Sequence, residues 1–193
     1  MAGTIHCRSK AGIMAVWLGR FPDPEDFYRY VQICYRSENE EEWDPAYIFS
    51  PAVYQRRLDT LFRPENRDRP EEETLRRAFQ KRYSVFEYDY SILIDGDFAV
   101  CDYCDKPSAD LTVLMDEWPE IADGIADLVK KSCFTEEVNC LFAVPSCEYT
   151  GSVIKSQPEG GTLWFIGNMQ ESIFSDSVAE DYNIQAAAAA NPE

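Results

Sequence analysis

The chain has 193 residues, 45% of them hydrophobic and 13% aromatic, with a formal net charge of −17. That length and apolar content predict one domain with a substantial core. A pI near 4.4 excludes nucleic acid and anionic membrane as partners, since both would repel the chain.

Residues 1–12 read as a leader with little periodicity. They lack the apolar stretch of a signal peptide, and no run in the chain approaches the roughly 18 apolar residues of a membrane span. Met14 to Leu18 (Met-Ala-Val-Trp-Leu) predicts a short buried strand. A helix start follows: Asp23 as cap, Pro24 in the first position, Glu25 and Asp26 against the positive helix end. Phe27, Tyr30, Val31, Cys34 and Tyr35 form one apolar face, so the helix is expected to run to about Tyr35 or Arg36. Glu38, Glu40, Glu41, Glu42 and Asp44 make an acidic loop around Trp43.

Ser50-Pro51 predicts a second helix start, and Glu71 to Tyr83 a third helix with acids first and bases last. From Arg56 to Arg82 there are nine basic and six acidic residues, the one cationic stretch of the chain. Ser91 to Cys101 reads as strand, with a turn at Asp95-Gly96. Asp116 to Lys131 predicts a helix capped by Asp116, and Val138 to Pro145 and Thr162 to Gly167 predict buried strands. Residues 171–193 carry five acids and no bases and read as an acidic, Ala-rich tail. The domain is therefore expected to span residues 13–170.

Few motifs carry chemistry. His6 is the single histidine and lies in the leader, a poor place for a Ser-His-Asp or Cys-His constellation. Cys101-Asp-Tyr-Cys104 has C-x-x-C spacing, which raises a zinc-stabilised regulatory or adaptor domain as the alternative function. Asp102 and Asp105 flank these thiols and are expected to raise their pKa, against redox reactivity. Seven cysteines, an odd number, suggest free and mostly buried thiols in a reducing cytoplasm. Glu87, Asp89, Asp95 and Asp97 could pair as hydrolytic carboxylates, or form a solvated acidic face. No phosphate-binding glycine motif is present, and no cofactor is expected.

The charge map says more. Between Ser84 and Asp123 there are eleven acidic residues and one basic residue, Lys106. Like charges so concentrated oppose the compact state, and make sense if their field acts on a cationic partner. Trp43, with Tyr47 and Phe49 nearby, is the expected aromatic anchor among carboxylates.

The order of landmarks resembles one family. Val16-Trp17-Leu18-Gly19-Arg20-Phe21 followed by Glu25-Asp26-Phe27 and Tyr30-Val31 is similar to the opening strand and helix of the immunity protein 22 family of bacterial polymorphic toxin systems. Phe79 to Asp89 is similar to that family's helix end leading into a Tyr-Asp motif. Val138 to Phe142 through Tyr149, then Leu163 to Gly167, resemble its closing strands. The segment Asp44 to Pro70 is longer than the family pattern, and the tail lies outside it.

The resemblance implies an α+β fold and a small cytoplasmic protein that neutralises a cognate toxin, often a nuclease. The expectation is a single α+β domain, a mostly antiparallel sheet of about 4–5 strands with helices packed mainly on one face. It would act without catalysis. Its toxin-facing field would comprise Glu38, Glu40, Glu41, Glu42, Trp43, Asp44, Glu87, Asp89, Asp95, Asp97, Asp102 and Asp105.

Overall fold

The computed structural model describes residues 6–35, 82–94, 99–158 and 160–171. Strand β2, Ile13–Arg20, lies at its centre. The run Met14 to Leu18 is apolar at every position, so neither face can be left to water, and all five residues are fully buried. With β1 as Cys7–Ser9, helix α1 as Pro24–Val31, β3 as Cys34–Tyr35 and β4 as Arg82–Tyr83, the chain continues into helix α2, Val85–Tyr90. Strand β5 (Val100–Ser108), helix α3 (Pro119–Ser132) and strands β6 (Val138–Val144), β7 (Cys147–Tyr149), β8 (Lys155–Ser156) and β9 (Thr162–Gln170) complete it.

Five strands form one antiparallel sheet in the order β5-β6-β2-β9-β8. With three helices among the described residues this is a single α+β domain, and two-stranded ribbons β1-β7 and β3-β4 accompany the sheet. Alternation along β2 builds two cores. Ala15 and Trp17 face a cluster made with α1 (Phe27, Tyr30), α2 (Phe86, Tyr90), Phe142 and Tyr149. Met14, Val16 and Leu18 face the other, made with Ile121 and Ile125 of α3. Two helices thus cover one face and the third covers the other. Trp17 is the hub of the first core, edge-on to Phe86 at 5.0 Å and to Tyr90 at 5.6 Å.

The second core needs close approach. Opposite Val16 and Trp17, β9 bulges at Gly167, whose φ is 154°. A Cβ there would sit 2.9 Å from Leu128 of α3, so glycine lets that helix lie against the strand.

Several expectations are corrected. Helix α1 starts as expected, with the Asp23 carboxylate accepting from Glu25 N, but it ends at Val31 because Gln32 turns extended. Cys34–Tyr35 then pairs with Arg82–Tyr83, so the residues expected at two helix ends form a ribbon instead. Residues 91–94 are not strand, and β5 begins at Val100. Helix α2 was not expected; Ser84 caps it, its hydroxyl accepting from Glu87 N. Helix α3 begins at Pro119 rather than Asp116, with Trp118 at the cap position and no side-chain cap. The leader contributes β1, paired with β7. The other two expected helices and the tail beyond Glu171 lie outside the described residues.

The cysteines also depart in part from expectation. Cys101, Cys104, Cys133 and Cys140 are free, but Cys147 is disulfide-bonded. No helix among the described residues is long and apolar enough to cross a membrane.

Candidate functional site

The field of carboxylates divides sharply once folded. Glu38, Glu40, Glu41, Glu42, Trp43, Asp44, Asp95 and Asp97 lie outside the described residues. Glu87 is corrected: it is fully buried, and its carboxylate accepts from Ile94 N at 2.8 Å, so it is not displayed to any partner. Its helix is amphipathic over barely two turns, and position 87 falls on the inward side with Val85, Phe86 and Tyr90. Asp89 is half-buried and accepts from the Tyr30 hydroxyl at 3.1 Å. That hydroxyl also meets Ser156 Oγ at 2.7 Å, which ties α1, α2 and β8 together. Asp102 is half-buried and Asp105 exposed.

The exposed carboxylates gather elsewhere. Asp116 and Glu117 precede α3, and Glu120, Asp123 and Asp127 follow along its outer side at spacings of three and four. Helical period explains the stripe, because Ile121 and Ile125 turn inward and carry the opposite side outward. Asp127 lies beyond the densest charge window, and an amphipathic projection of α3 would have found it.

A second group forms where α1 meets β5. Tyr28 lies beside the inward residue Phe27 but points away from the core, with 45% of its surface exposed. Its ring leans on Phe27 at 5.3 Å, and Phe27 stacks with Tyr103 of β5 at 6.4 Å. Partial burial raises the Tyr28 phenol above its usual range, and the nearby Cys101, Asp102, Cys140 and Glu117 raise it further. Tyr103 is raised by burial and then by Asp105 and Asp23. Asp102 and Glu117, far apart in sequence, therefore act on one exposed ring, with Asp105 beside its neighbour. Asp102, Asp105, Asp116, Glu117, Asp123 and Asp127 have no ion-pair partner among the described residues; the ion pairs seen there are Lys10–Glu148, Arg29–Glu25 and Arg29–Asp26.

The loop before α3 is stiffened locally. Asp110 accepts from Thr112 N at 3.0 Å, which holds its carboxyl below the usual range. Tyr28 went unnoticed in the sequence because it sits beside the apolar stripe of α1. Its signal was an aromatic ring on the polar side of an otherwise amphipathic helix.

The C-x-x-C pair takes a different form from a zinc knuckle. Cys101 packs against the first core and Cys104 against the second, because residues three apart on a strand face opposite ways. Burial first, and Asp102 second, push the Cys101 thiol up to about 12. Cys104 is raised by burial, then by Asp102 and Asp105, and donates to Lys106 O at 3.4 Å. Raised thiols are poor nucleophiles at neutral pH. Among the described residues no three His, Cys, Asp or Glu side chains gather as a metal site.

No family model matches the chain, and neither does any curated protein or solved structure. The chemistry open to the site is thus read from its residues. Carboxylates without ion-pair partners among the described residues, on a helix and a strand with an exposed aromatic ring nearby, suit the binding of lysine and arginine side chains.

Proposed function

We propose that this chain is a non-enzymatic immunity protein, working in the cytoplasm, that binds and neutralises a cognate bacterial toxin through an acidic surface. The observation that carries the reading is the set of exposed carboxylates Asp105, Asp116, Glu117, Asp123 and Asp127, without ion pairs among the described residues, together with the exposed Tyr28 ring on its Phe27–Tyr103 stack. The ordered resemblance in the opening strand and helix and in the closing strands supports it from the sequence. A nuclease is the fitting class of toxin. Such an enzyme carries a basic surface for phosphate, and a rigid array of carboxylates can occupy that surface without being cut. Opposite charge also steers encounter, lifting association to about 10⁸–10⁹ M⁻¹s⁻¹ at low salt.

Rates of association with any toxin domain encoded beside this gene test the proposal. Asp105→Lys, Glu117→Lys and Asp123→Lys together alter exposed side chains and leave both cores untouched. Association should slow by at least about tenfold at low salt, and the two proteins should converge as salt screens the field. Tyr28→Ala should act on dissociation instead. An unchanged association rate and salt slope would show that this surface does not meet the toxin.

A further inference from the structure

The sheet ends differently on its two sides. On one side the terminal strand β8 has only two residues, and the chain closes the edge of β9 beyond it. Phe165 N donates to Ile154 O at 2.8 Å, and the Asn168 side chain clasps both the N–H and the C=O of Tyr149 at 2.9 Å. On the other side the terminal strand is β5, nine residues long and paired among the described residues with β6 alone. An edge of that length is a row of backbone donors and acceptors, a template on which another copy can add a strand. The hazard of this sheet is therefore concentrated on β5.

Between Asp102 and Pro107 that row is occupied from within the strand. Asp102 Oδ1 accepts from Tyr103 N at 2.7 Å. The Cys104 thiol donates to Lys106 O at 3.4 Å. Pro107 has no N–H to offer. The register with β6 also shifts between Tyr103 and Ser108, which interrupts the ladder. Asp105 and Lys106 are exposed, and neither Asp102 nor Asp105 has an ion-pair partner among the described residues. Two copies meeting antiparallel along this edge would bring the Asp102 and Asp105 of one close to those of the other. Lys106 supplies one cation against two carboxylates in each copy.

We propose that Asp102 and Asp105 guard the β5 edge, and that this edge is a latent surface for a second copy of the chain, opened when the carboxylates are removed. Asp102 acts twice. Its oxygen occupies the Tyr103 N–H, so a partner strand's carbonyl must displace it. Its charge, with that of Asp105, repels the same residues of the second copy, since like charges opposed across strands are destabilising. The C-x-x-C spacing takes on a structural sense here, because Cys104 ties up a carbonyl of its own strand. The proposal concerns self-association, stands apart from toxin binding and is tested without a toxin.

Sedimentation velocity of the full chain over a wide concentration range, at low and high salt, provides the test. Wild type should keep the monomer mass at both salts, because the Asp102 bond to Tyr103 N outlasts screening of the charges. Asp102→Thr combined with Asp105→Thr places strand-forming residues at both positions. Pairing along so short an edge falls below the area of a stable interface, about 1,000 Å², so association should be weak and grow with concentration. The mass should climb towards about twice that of the monomer, as expected of a two-fold dimer. Amide exchange across residues 100–105 should slow by at least about threefold as it does. Should that variant fail to fold, Asp102→Asn with Asp105→Asn carries the test: the amides keep the shape, lose the repulsion, and should also gain mass with concentration. A wild-type chain that self-associates, a folded variant that keeps the monomer mass, or association without slowed exchange in β5 would each overturn the proposal.

Discussion

Asn139 offers a measurable link between the core and the proposed surface. It lies in β6, is 1% exposed, and clasps the backbone of Phe21 from 118 residues away. Phe21 N donates to Asn139 Oδ1 at 2.9 Å, and Asn139 Nδ2 donates to Phe21 O at 2.7 Å. Phe21 O also accepts from the Tyr103 hydroxyl at 3.2 Å. This clasp holds the chain where β2 turns into the Asp23 cap, and so fixes the start of the helix that carries Tyr28. Asn139→Ala leaves Phe21 N without its partner, a loss of about 1–3 kcal/mol for a buried group. The carbonyl loses one of two bonds, about 0.5–1.5 kcal/mol more. The sum is roughly 1.5–4.5 kcal/mol, or a fall in melting temperature of about 3–18 °C at this chain length. Urea unfolding followed by tryptophan fluorescence measures it, with the slope checked for constancy. Tyr103→Phe alone should cost about 0.5–1 kcal/mol, because the carbonyl keeps Asn139. The double variant should exceed the sum of the singles, since only then does Phe21 O lose both donors. An Asn139→Ala chain within about 0.5 kcal/mol of wild type, or strict additivity, would refute the clasp.

Two further perturbations probe other parts of the fold. Glu171 is 4% exposed; its Oε2 accepts from Ser146 N at 3.2 Å, and its other oxygen is buried without a partner. Burial raises its pKa above the ordinary 4.5, so the folded chain binds this proton more tightly than the unfolded one. Its contribution is therefore favourable at low pH and is lost as pH rises through the folded value. Glu171→Gln should raise the urea midpoint at pH 7 and matter least near pH 4; an equal effect at both pH values would count against it. Gly19→Ala places a methyl 2.6 Å from both Cys140 Sγ and Leu163 Cδ1 and 2.9 Å from Thr162 O. Overpacking of that kind costs about 1–3 kcal/mol, and a neutral result in thermal melts would mean the strands part more readily than their packing implies.

Much of the frame was legible from spacing along the chain. The continuous apolar runs at Met14 to Leu18 and in β6 marked strands buried on both faces, and the Asp23-Pro24 start marked α1. Ser84 followed three residues later by Glu87 was a legible cap for α2, passed over because six residues give too little period to declare a helix. The end of α1 was not legible. Its apolar spacing continues through Cys34 and Tyr35, and only pairing with Arg82–Tyr83 pulls those two residues into a ribbon.

The same division separates charge from its display. The sequence by itself determined how many carboxylates crowd residues 84–123, because counting needs no partner. Tertiary structure alone decided that Glu87 turns inward to Ile94 N, that Asp102 and Glu117 act on one tyrosine, and that Cys101 and Cys104 face opposite cores. Local rules depend on neighbours three or four positions away. Solvent exposure and pairing depend on segments that meet only when the chain closes, which is why acidity was readable in advance and its geometry was not.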